Sequence, residues 1–169
     1  MVILNVNMVK FKALISYIIS RCKNKKNVGK TVICKLAYFS DFNHYEIYEK
    51  PITNETYIKF DKGPLPKHFL DLINEMKKNN ELYIEEKPYG TNKIQKFYLK
   101  NPPDITIFNN DELSVIDDVI DTLSNMSATK ISKYSHGDMP WIVAEDQEEL
   151  DYEYVFYRDD DYSVRVYDD

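Results

Sequence analysis

Asp41 and His44 come closest in this 169-residue chain to a pair of residues that could do chemistry. They are three positions apart in a predicted helix, so their side chains can meet on one face. There a carboxylate can orient an imidazole for acid–base catalysis or metal binding. A catalytic site would also need a third partner and a pocket. We therefore favour a structural hydrogen bond for this pair, and the sequence predicts a protein that is not an enzyme.

The other residue types predict neither a metal nor a cofactor. His68 and His136 are scattered in the sequence relative to His44, and Cys22 and Cys34 do not have the spacing of a zinc site. The four glycines are isolated from one another, so the sequence contains no phosphate-binding glycine loop. Both cysteines lie in apolar helical patterns, as free thiols do in a reducing compartment, and we expect a cytoplasmic protein.

Charge and hydropathy restrict the partners that we expect. The net charge of −6 disfavours a nucleic-acid binder, because affinity for nucleic acid depends mainly on cationic contacts with phosphates. The charge is uneven: residues 145–169 contain eleven acidic residues and two arginines, a net charge of −9, so residues 1–144 carry +3. The apolar stretch at residues 13–19 is far shorter than the roughly 20 residues of a membrane span. We therefore expect no membrane contact, and nucleic acid is an unfavoured partner.

Apolar periodicity predicts an α+β fold, a mostly helical single domain with a β-hairpin after the third helix. The same order of elements is found in winged-helix domains, which is a further hypothesis for the architecture. Lysines on the hairpin would then lie where a wing contacts a nucleic-acid backbone, although a solvated hairpin is the commoner explanation. The first two predicted helices are residues 11–22 and, after a cap at Thr31, residues 32–48. The third has its apolar stripe at residues 65–76, the fourth follows a cap at Asn110 or Asp111, and the fifth runs from a cap at Ser127 to residue 135 or 136. The predicted strands are residues 52–59, 82–87 and 93–100.

Several short motifs between residues 31 and 142 carry a resemblance to one protein family. The matching residues are Lys35-Leu-Ala-Tyr-Phe-Ser-Asp-Phe42 with His44 and Tyr45, then Ile52, Thr53 and Tyr57, then Gly63-Pro-Leu-Pro66, and finally Ser132, Ser135-His136 and Pro140-Trp141. They have the order and spacing of K-L-x-Y-F-x-D-F-x-H-Y, I-T-x-x-x-Y, G-P-x-P, L-S-x-x-S-H and P-W, with Ile131 in place of the usual leucine. This part of the chain resembles the Panacea (SocA-like) domain of bacterial antitoxins.

The resemblance implies an antitoxin that binds and neutralises a cognate protein toxin by direct contact. Some members of the family hand a toxin to a protease, so an adaptor with a protease as a further partner is one alternative. A winged-helix-like regulator that binds nucleic acid is the other. The family is often fused to a DNA-binding helix-turn-helix, and no spare segment here is long enough to be one. We expect an N-terminal helix and linker at residues 1–30, the Panacea domain at residues 31–142 and a C-terminal extension at residues 143–169.

The motifs supply most of the candidate partner-binding residues. Tyrosine and tryptophan offer large, rigid contact areas with a polar end and are enriched at protein interfaces, so we expect the aromatic candidates to be structural or interface anchors. The candidates are Lys35, Tyr38, Asp41, His44, Tyr45, Tyr57, Pro64, Pro66, His136 and Trp141.

The acidic extension has too many apolar residues for a plain solubilising tail. Residues 154–157 and 162–167 are predicted to pair as a final hairpin, or to dock as added strands on a partner. Our hypothesis is that the extension presents negative charge and aromatic rings to a basic, nucleotide- or RNA-handling surface of the toxin. An intramolecular hairpin without a partner is the alternative. The candidate contacts are Tyr154, Tyr157, Tyr162 and Tyr167.

Overall fold

Helix α2, residues Lys30–Tyr48, is the central element of the computed structural model, which describes residues 5–168. Apolar and aromatic side chains occur on nearly every face of this helix, and every residue from 32 to 42 is buried. Other helices and the C-terminal segment pack around it. The helix predicted at residues 32–48 is confirmed, although Gly29 and not Thr31 occupies the cap position.

Helices α1 (Met8–Arg21) and α4 (Asn110–Leu123) pack beside α2. The Asn7 side chain caps α1 by accepting a hydrogen bond from a backbone amide of the first turn at 3.0 Å. At the start of α4, Asn109 and Glu112 form a reciprocal capping box. Both predicted helices are present, but α1 begins three residues before its predicted start and the cap of α4 lies one residue before the predicted positions.

Two short strands after α2 pair in antiparallel register, β1 (Tyr57–Phe60) and β2 (Gly63–Pro66). The predicted strand at residues 52–59 is wrong over its first half, because Thr53 bonds to a side chain of α2 instead of to a neighbouring strand. The Gly-Pro-Leu-Pro segment forms β2, a strand that was not predicted. Its prolines are compatible with a strand because β2 pairs with β1 on one edge only.

Helix α3 (Phe69–Lys78) is followed by the hairpin of β3 (Leu82–Tyr89) and β4 (Asn92–Leu99). The hairpin after the third helix is therefore confirmed, as is the α+β, mostly helical architecture. Helix α3 is shorter than its predicted apolar stripe, because Leu65 belongs to β2. Gly90 supplies the positive φ of +60° that the tight turn between β3 and β4 requires. The winged-helix comparison stays a hypothesis.

Two further α-helices follow α4. Helix α5 (Ala128–Ser135) begins after Ser127, whose hydroxyl accepts a hydrogen bond from the backbone amide of the third helical residue at 3.1 Å, as predicted. Helix α6 (Met139–Val143) was not predicted; Asp138 caps it, and Pro140 suits its first turn. Within residues 5–168 no helix is long and apolar enough to span a bilayer.

The C-terminal segment contains a 3₁₀ helix, Tyr152–Tyr157, and the hairpin predicted there is wrong. A 3₁₀ helix has three residues per turn, which places Tyr152 and Val155 on one side, and Val155 is fully buried. Just before this helix, the amide of Leu150 donates a hydrogen bond to the carbonyl of Tyr57 in β1 at 2.8 Å. The segment therefore folds back onto the domain.

Candidate functional site

Asp41 is held at the centre of the fold by three hydrogen-bond donors. Its carboxylate accepts hydrogen bonds from the Thr53 amide at 2.7 Å, the Thr53 hydroxyl at 2.6 Å and the Tyr57 hydroxyl at 2.7 Å. Asp41, Thr53 and Tyr57 are all fully buried. Burial raises the pKa of Asp41 to about 6, while these hydrogen bonds act to lower it. The carboxylate fixes the segment after α2 onto that helix.

His44 does not contact Asp41 through a hydrogen bond. Its Nδ1 lies 2.6 Å from the carbonyl oxygen of Lys50, beyond the end of α2. Its ring packs on Tyr48 at a centroid distance of 4.8 Å, and burial lowers the pKa of the imidazole. The two residues of the candidate pair therefore have separate structural partners. Within residues 5–168 no three His, Cys, Asp or Glu side chains are placed to hold a metal ion.

A buried ion cluster joins α2 to the C-terminal segment. The Arg158 guanidinium donates from Nε and Nη2 to the two carboxylate oxygens of Asp138, both at 2.8 Å. Its Nη1 donates to Asn43 at 2.9 Å and to Glu46 at 3.0 Å, and the Tyr38 hydroxyl donates to Asp138 at 2.7 Å. The side chains of the two acids and the arginine are fully buried. Burial acts to lower the pKa of Arg158, but the adjacent carboxylates raise it by more, so the guanidinium stays charged.

Glu46 also holds the end of the C-terminal segment. Its carboxylate accepts hydrogen bonds from the Ser163 hydroxyl at 2.6 Å, the Val164 amide at 3.1 Å and the Tyr167 hydroxyl at 2.9 Å. Burial acts to raise the pKa of Glu46, and these hydrogen bonds, with that from Arg158, bring it below its usual value. One carboxylate of α2 therefore fixes the course of residues 158–167.

The four candidate tyrosines of the extension fall into two pairs. Tyr162 stacks on Tyr134 at a centroid distance of 4.6 Å and donates to the Tyr134 carbonyl at 2.9 Å, and Tyr167 is bonded to α2. These two contacts hold the segment in place. Tyr154 and Tyr157 instead pack on each other at 5.8 Å, and they are 38% and 68% exposed. The ring of Tyr167 is also 49% exposed, but its hydroxyl is already bonded to Glu46.

Exposed acidic residues flank the exposed tyrosine pair along the chain. The Arg158 side chain is buried, so it adds no cation to this region of the surface. The half-buried Tyr45 of the family motif donates to Glu153 at 2.6 Å, and burial together with this bond raises the pKa of Tyr45 to about 12. Tyr45 thereby connects the motif helix to the acidic segment. We call the exposed region the C-terminal surface; its members are Asp151, Glu153, Tyr154, Tyr157, Asp159, Asp160 and Asp161.

Lys35 of α2 is fully buried, and it lies beside Gly63 of β2 and near Ser135 of α5. Its Nζ has no hydrogen-bond partner among residues 5–168, and burial lowers the pKa of the ammonium to about 8. Gly63, with a φ of +109°, passes next to it: a Cβ there would lie 2.6 Å from the Lys35 Cε and would overlap the Ser135 hydroxyl. The Gly-Pro-Leu-Pro motif is therefore explained by packing, because only glycine fits and Pro64 and Pro66 are buried in β2.

His136 and Trp141 form a stacked pair, with ring centroids 4.4 Å apart. The Lys59 ammonium lies 4.2 Å from the Trp141 ring centroid, and the indole donates to the Phe60 carbonyl at 3.2 Å. Trp141 therefore anchors α6 on β1. The Nε2 atom of His136 is buried and has no hydrogen-bond partner within the described residues.

Lysines of the predicted wing have partners inside the chain. The Lys96 ammonium donates to the carbonyls of Lys25 at 2.7 Å and Val28 at 2.8 Å. It therefore binds the loop between α1 and α2 to β4. Lys87 forms an ion pair with Glu85 at 2.9 Å. These contacts agree with the structural interpretation of the hairpin lysines.

The ion cluster was missed because its members are distant in the sequence. Arg158 is 20 residues from Asp138 and 112 residues from Glu46. The available signal was Arg158 itself, a lone cation between the acidic runs before and after it. A single sequence does not indicate which two of the many carboxylates face it.

The fold and the site define an α+β scaffold whose family motifs are mostly internal and whose C-terminal surface is acidic and aromatic. The family model described as "Antitoxin SocA-like, Panacea domain" matches residues 33–142. The chain belongs to this family, and the resemblance predicted from its motifs is confirmed. No curated protein and no solved structure matches the chain.

Proposed function

We propose that this protein is an antitoxin that neutralises a cognate protein toxin by direct contact through the C-terminal surface. Membership of the SocA-like family supports the antitoxin role. The observation that carries the choice of surface is the fixing of the acidic segment by Arg158, Asp138 and Glu46. A surface that is ordered before binding loses less conformational entropy on association than a free tail does.

The chemistry of the C-terminal surface fits a basic partner. Exposed tyrosines such as Tyr154 and Tyr157 supply rigid contact area with a polar end. The exposed carboxylates that flank them along the chain attract arginine and lysine side chains, which increases both the association rate and the specificity. A toxin that handles nucleotides or RNA needs such a basic surface for phosphate groups. Covering that surface would stop the toxin from binding its substrate.

The adjacent open reading frame is the candidate toxin for testing the antitoxin role. We expect its expression alone to stop growth and co-expression with this chain to restore growth. A frame that leaves growth unchanged, or growth arrest that this chain does not relieve, would contradict the proposal.

The contact surface is tested separately with the purified toxin. Replacing Tyr154 and Tyr157 together by alanine is expected to weaken toxin binding by at least about tenfold, as for exposed aromatic anchors of an interface. Tyr83→Ala is the matched control, because Tyr83 is 43% exposed on the β3–β4 hairpin. An unchanged affinity for the double variant would reject this surface and leave the antitoxin role standing.

Two alternatives give different outcomes in the same system. An adaptor lowers the amount of toxin in the cell, whereas an antitoxin that acts by occlusion leaves that amount unchanged.

A nucleic-acid-binding regulator is favoured by one observation: Lys23, Lys25, Lys26 and Lys87 line a single cleft of about 450 Å³. Such a regulator binds DNA with an affinity that falls steeply with salt concentration, and the proposed antitoxin shows no such binding.

A further inference from the structure

A cleft of about 450 Å³ lies between the β3–β4 hairpin and the loop that joins α1 to α2. Lysines make up five of its eight lining residues, and within residues 5–168 none of the lining residues is acidic. Pro88 and Tyr98 add apolar surface to the same lining. We call this region the basic cleft; its lysines are Lys23, Lys25, Lys26, Lys87 and Lys96.

Most of the charge of the basic cleft is not compensated by the chain itself. Lys87 forms an ion pair with a carboxylate. Lys25 and Lys96 donate hydrogen bonds to amide and carbonyl oxygens, which are neutral, so both ammonium groups keep their positive charge. Lys23 and Lys26 are exposed and form no salt bridge with residues 5–168. The cleft is therefore a positively charged concave surface that suits an acidic partner.

The basic cleft and the acidic C-terminal surface lie towards opposite ends of α2. At one end, Lys96 of the cleft bonds to Val28, the residue before the cap of α2. At the other end, Tyr45 of α2 bonds to Glu153 of the C-terminal surface. The axial distance between residues 29 and 45 of a helix is about 24 Å at about 1.5 Å per residue. No salt bridge among residues 5–168 joins the two surfaces, so they do not neutralise each other within one chain.

We infer that the basic cleft binds the C-terminal surface of a second copy of this chain. The charges are complementary, because residues 145–169 carry a net charge of −9 and the rest of the chain carries +3. Lysine ammonium groups pair with carboxylates, and they also lie favourably over tyrosine rings such as those of Tyr154 and Tyr157. Two copies with antiparallel α2 helices can make both contacts at once, which closes a two-fold dimer.

Self-association of this kind regulates the contact surface. The C-terminal surface is also the proposed toxin contact, so this consequence rests on the proposed function. In the absence of toxin the second copy covers the acidic and aromatic residues. A toxin then competes with that copy for the same surface, and its apparent affinity falls as the concentration of the antitoxin dimer rises.

Sedimentation equilibrium of the purified full-length protein tests the inference. In about 0.05 M sodium chloride we expect the mass to rise reversibly with protein concentration towards that of two chains. In about 0.5 M sodium chloride we expect a single chain, because salt screens contacts between exposed charges.

Charge reversal identifies the two surfaces that meet. Lys23→Glu with Lys26→Glu reverses two exposed charges of the basic cleft, and Asp160→Lys with Asp161→Lys reverses two of the C-terminal surface. Each double variant alone is expected to self-associate at least about tenfold more weakly than the parent, because like charges then face each other. An equimolar mixture of the two double variants is expected to associate, because every cleft then meets a surface of opposite charge.

The matched control is Lys67→Glu with Lys78→Glu, which reverses two exposed lysines outside the basic cleft. It changes the net charge by the same amount as the cleft variant, and it should self-associate like the parent. Circular dichroism checks the fold of all variants; substitutions at such exposed positions usually change stability little.

Four results would overturn the inference. The first is a chain that stays monomeric in low salt at concentrations up to about 1 mM. The second is a cleft variant that associates as strongly as the control, and the third is a mixture of the two double variants that does not associate. The fourth is binding of a DNA duplex to the cleft of a monomeric chain, which would favour the nucleic-acid-binding regulator. The first three results would leave the proposed antitoxin function untouched, because no toxin is present.

Discussion

Arg158 and Asp138 form a two-point hydrogen-bonded ion pair, with both N–O distances at 2.8 Å and both side chains fully buried. The desolvation of two buried charges offsets much of their attraction, so such a pair does not by itself make a fold more stable. Its effect is on geometry, because either partner alone would be an uncompensated buried charge. The pair therefore fixes where the C-terminal surface lies relative to the family motifs.

Arg158→Met is expected to destabilise the protein by about 3–5 kcal/mol, because it leaves the carboxylates of Asp138 and Glu46 buried without a cation. Urea unfolding of the variant and the parent measures this difference. Arg165→Met is the control: Arg165 is only half-buried, and its ion pair with the exposed Glu49 is 3.6 Å long, so we expect a change below about 1 kcal/mol. Similar unfolding midpoints for the two variants would contradict the structural role of the ion cluster.

Two tyrosines of the extension are expected to differ in function: Tyr162 should contribute to the stability of the fold, and Tyr157 to toxin binding. Tyr162→Ala removes the stack on Tyr134 and its hydrogen bond, and it should cost about 2–4 kcal/mol of unfolding free energy. Tyr157→Ala should change stability by less than about 0.5 kcal/mol, because this side chain is 68% exposed. Thermal unfolding and toxin affinity, measured on the same samples, check both statements. A large loss of stability in the Tyr157 variant would show that it is not a free contact residue.

Gly63 and Gly90 both have positive φ, but only Gly63 is enclosed. Gly90→Ala is expected to cost about 1 kcal/mol for the left-handed conformation alone, since nothing lies within 4 Å of the added methyl group. Gly63→Ala should cost about 2–4 kcal/mol, because the methyl group also meets Lys35 and Ser135. Chemical unfolding of both variants measures the difference. Equal losses would mean that β2 moves away from α2 at no cost.

Local patterns predicted most of the helices, because caps and apolar faces are encoded by neighbouring residues. Ser127 marks the start of α5, and the hairpin after α3 follows from alternating residues around a glycine turn. The same reasoning was wrong for the C-terminal segment. A short apolar run such as residues 154–157 suits a strand or a helix equally well, and the choice depends on the burial of Val155 against the rest of the domain.

The candidate site was predicted only in part, for a related reason. The motif residues Tyr38, Asp41 and Tyr57 are prominent in the sequence, yet the structure places them inside, where they bond to other buried groups. Which tyrosines of the extension are bonded to the rest of the domain depends on contacts with Tyr134 and Glu46, which are distant in the sequence. Residue types alone do not contain that information.

Lys35 is expected to make stability depend on pH in the alkaline range. Its pKa is about 8 in the folded protein and about 10.4 in the unfolded chain, so between these values the unfolded chain binds a proton that the folded protein does not. Stability contributed by this group therefore rises with pH from about 8 to about 10.4, by about 3 kcal/mol in total.

Other lysines and tyrosines also titrate there, so the measurement is the difference in urea-unfolding free energy between the parent and Lys35→Met. The methionine variant should be more stable by up to about 3 kcal/mol at about pH 7, and this advantage should shrink towards zero at about pH 10. A difference that stays constant over this range would mean that the buried ammonium has a compensating partner in solution.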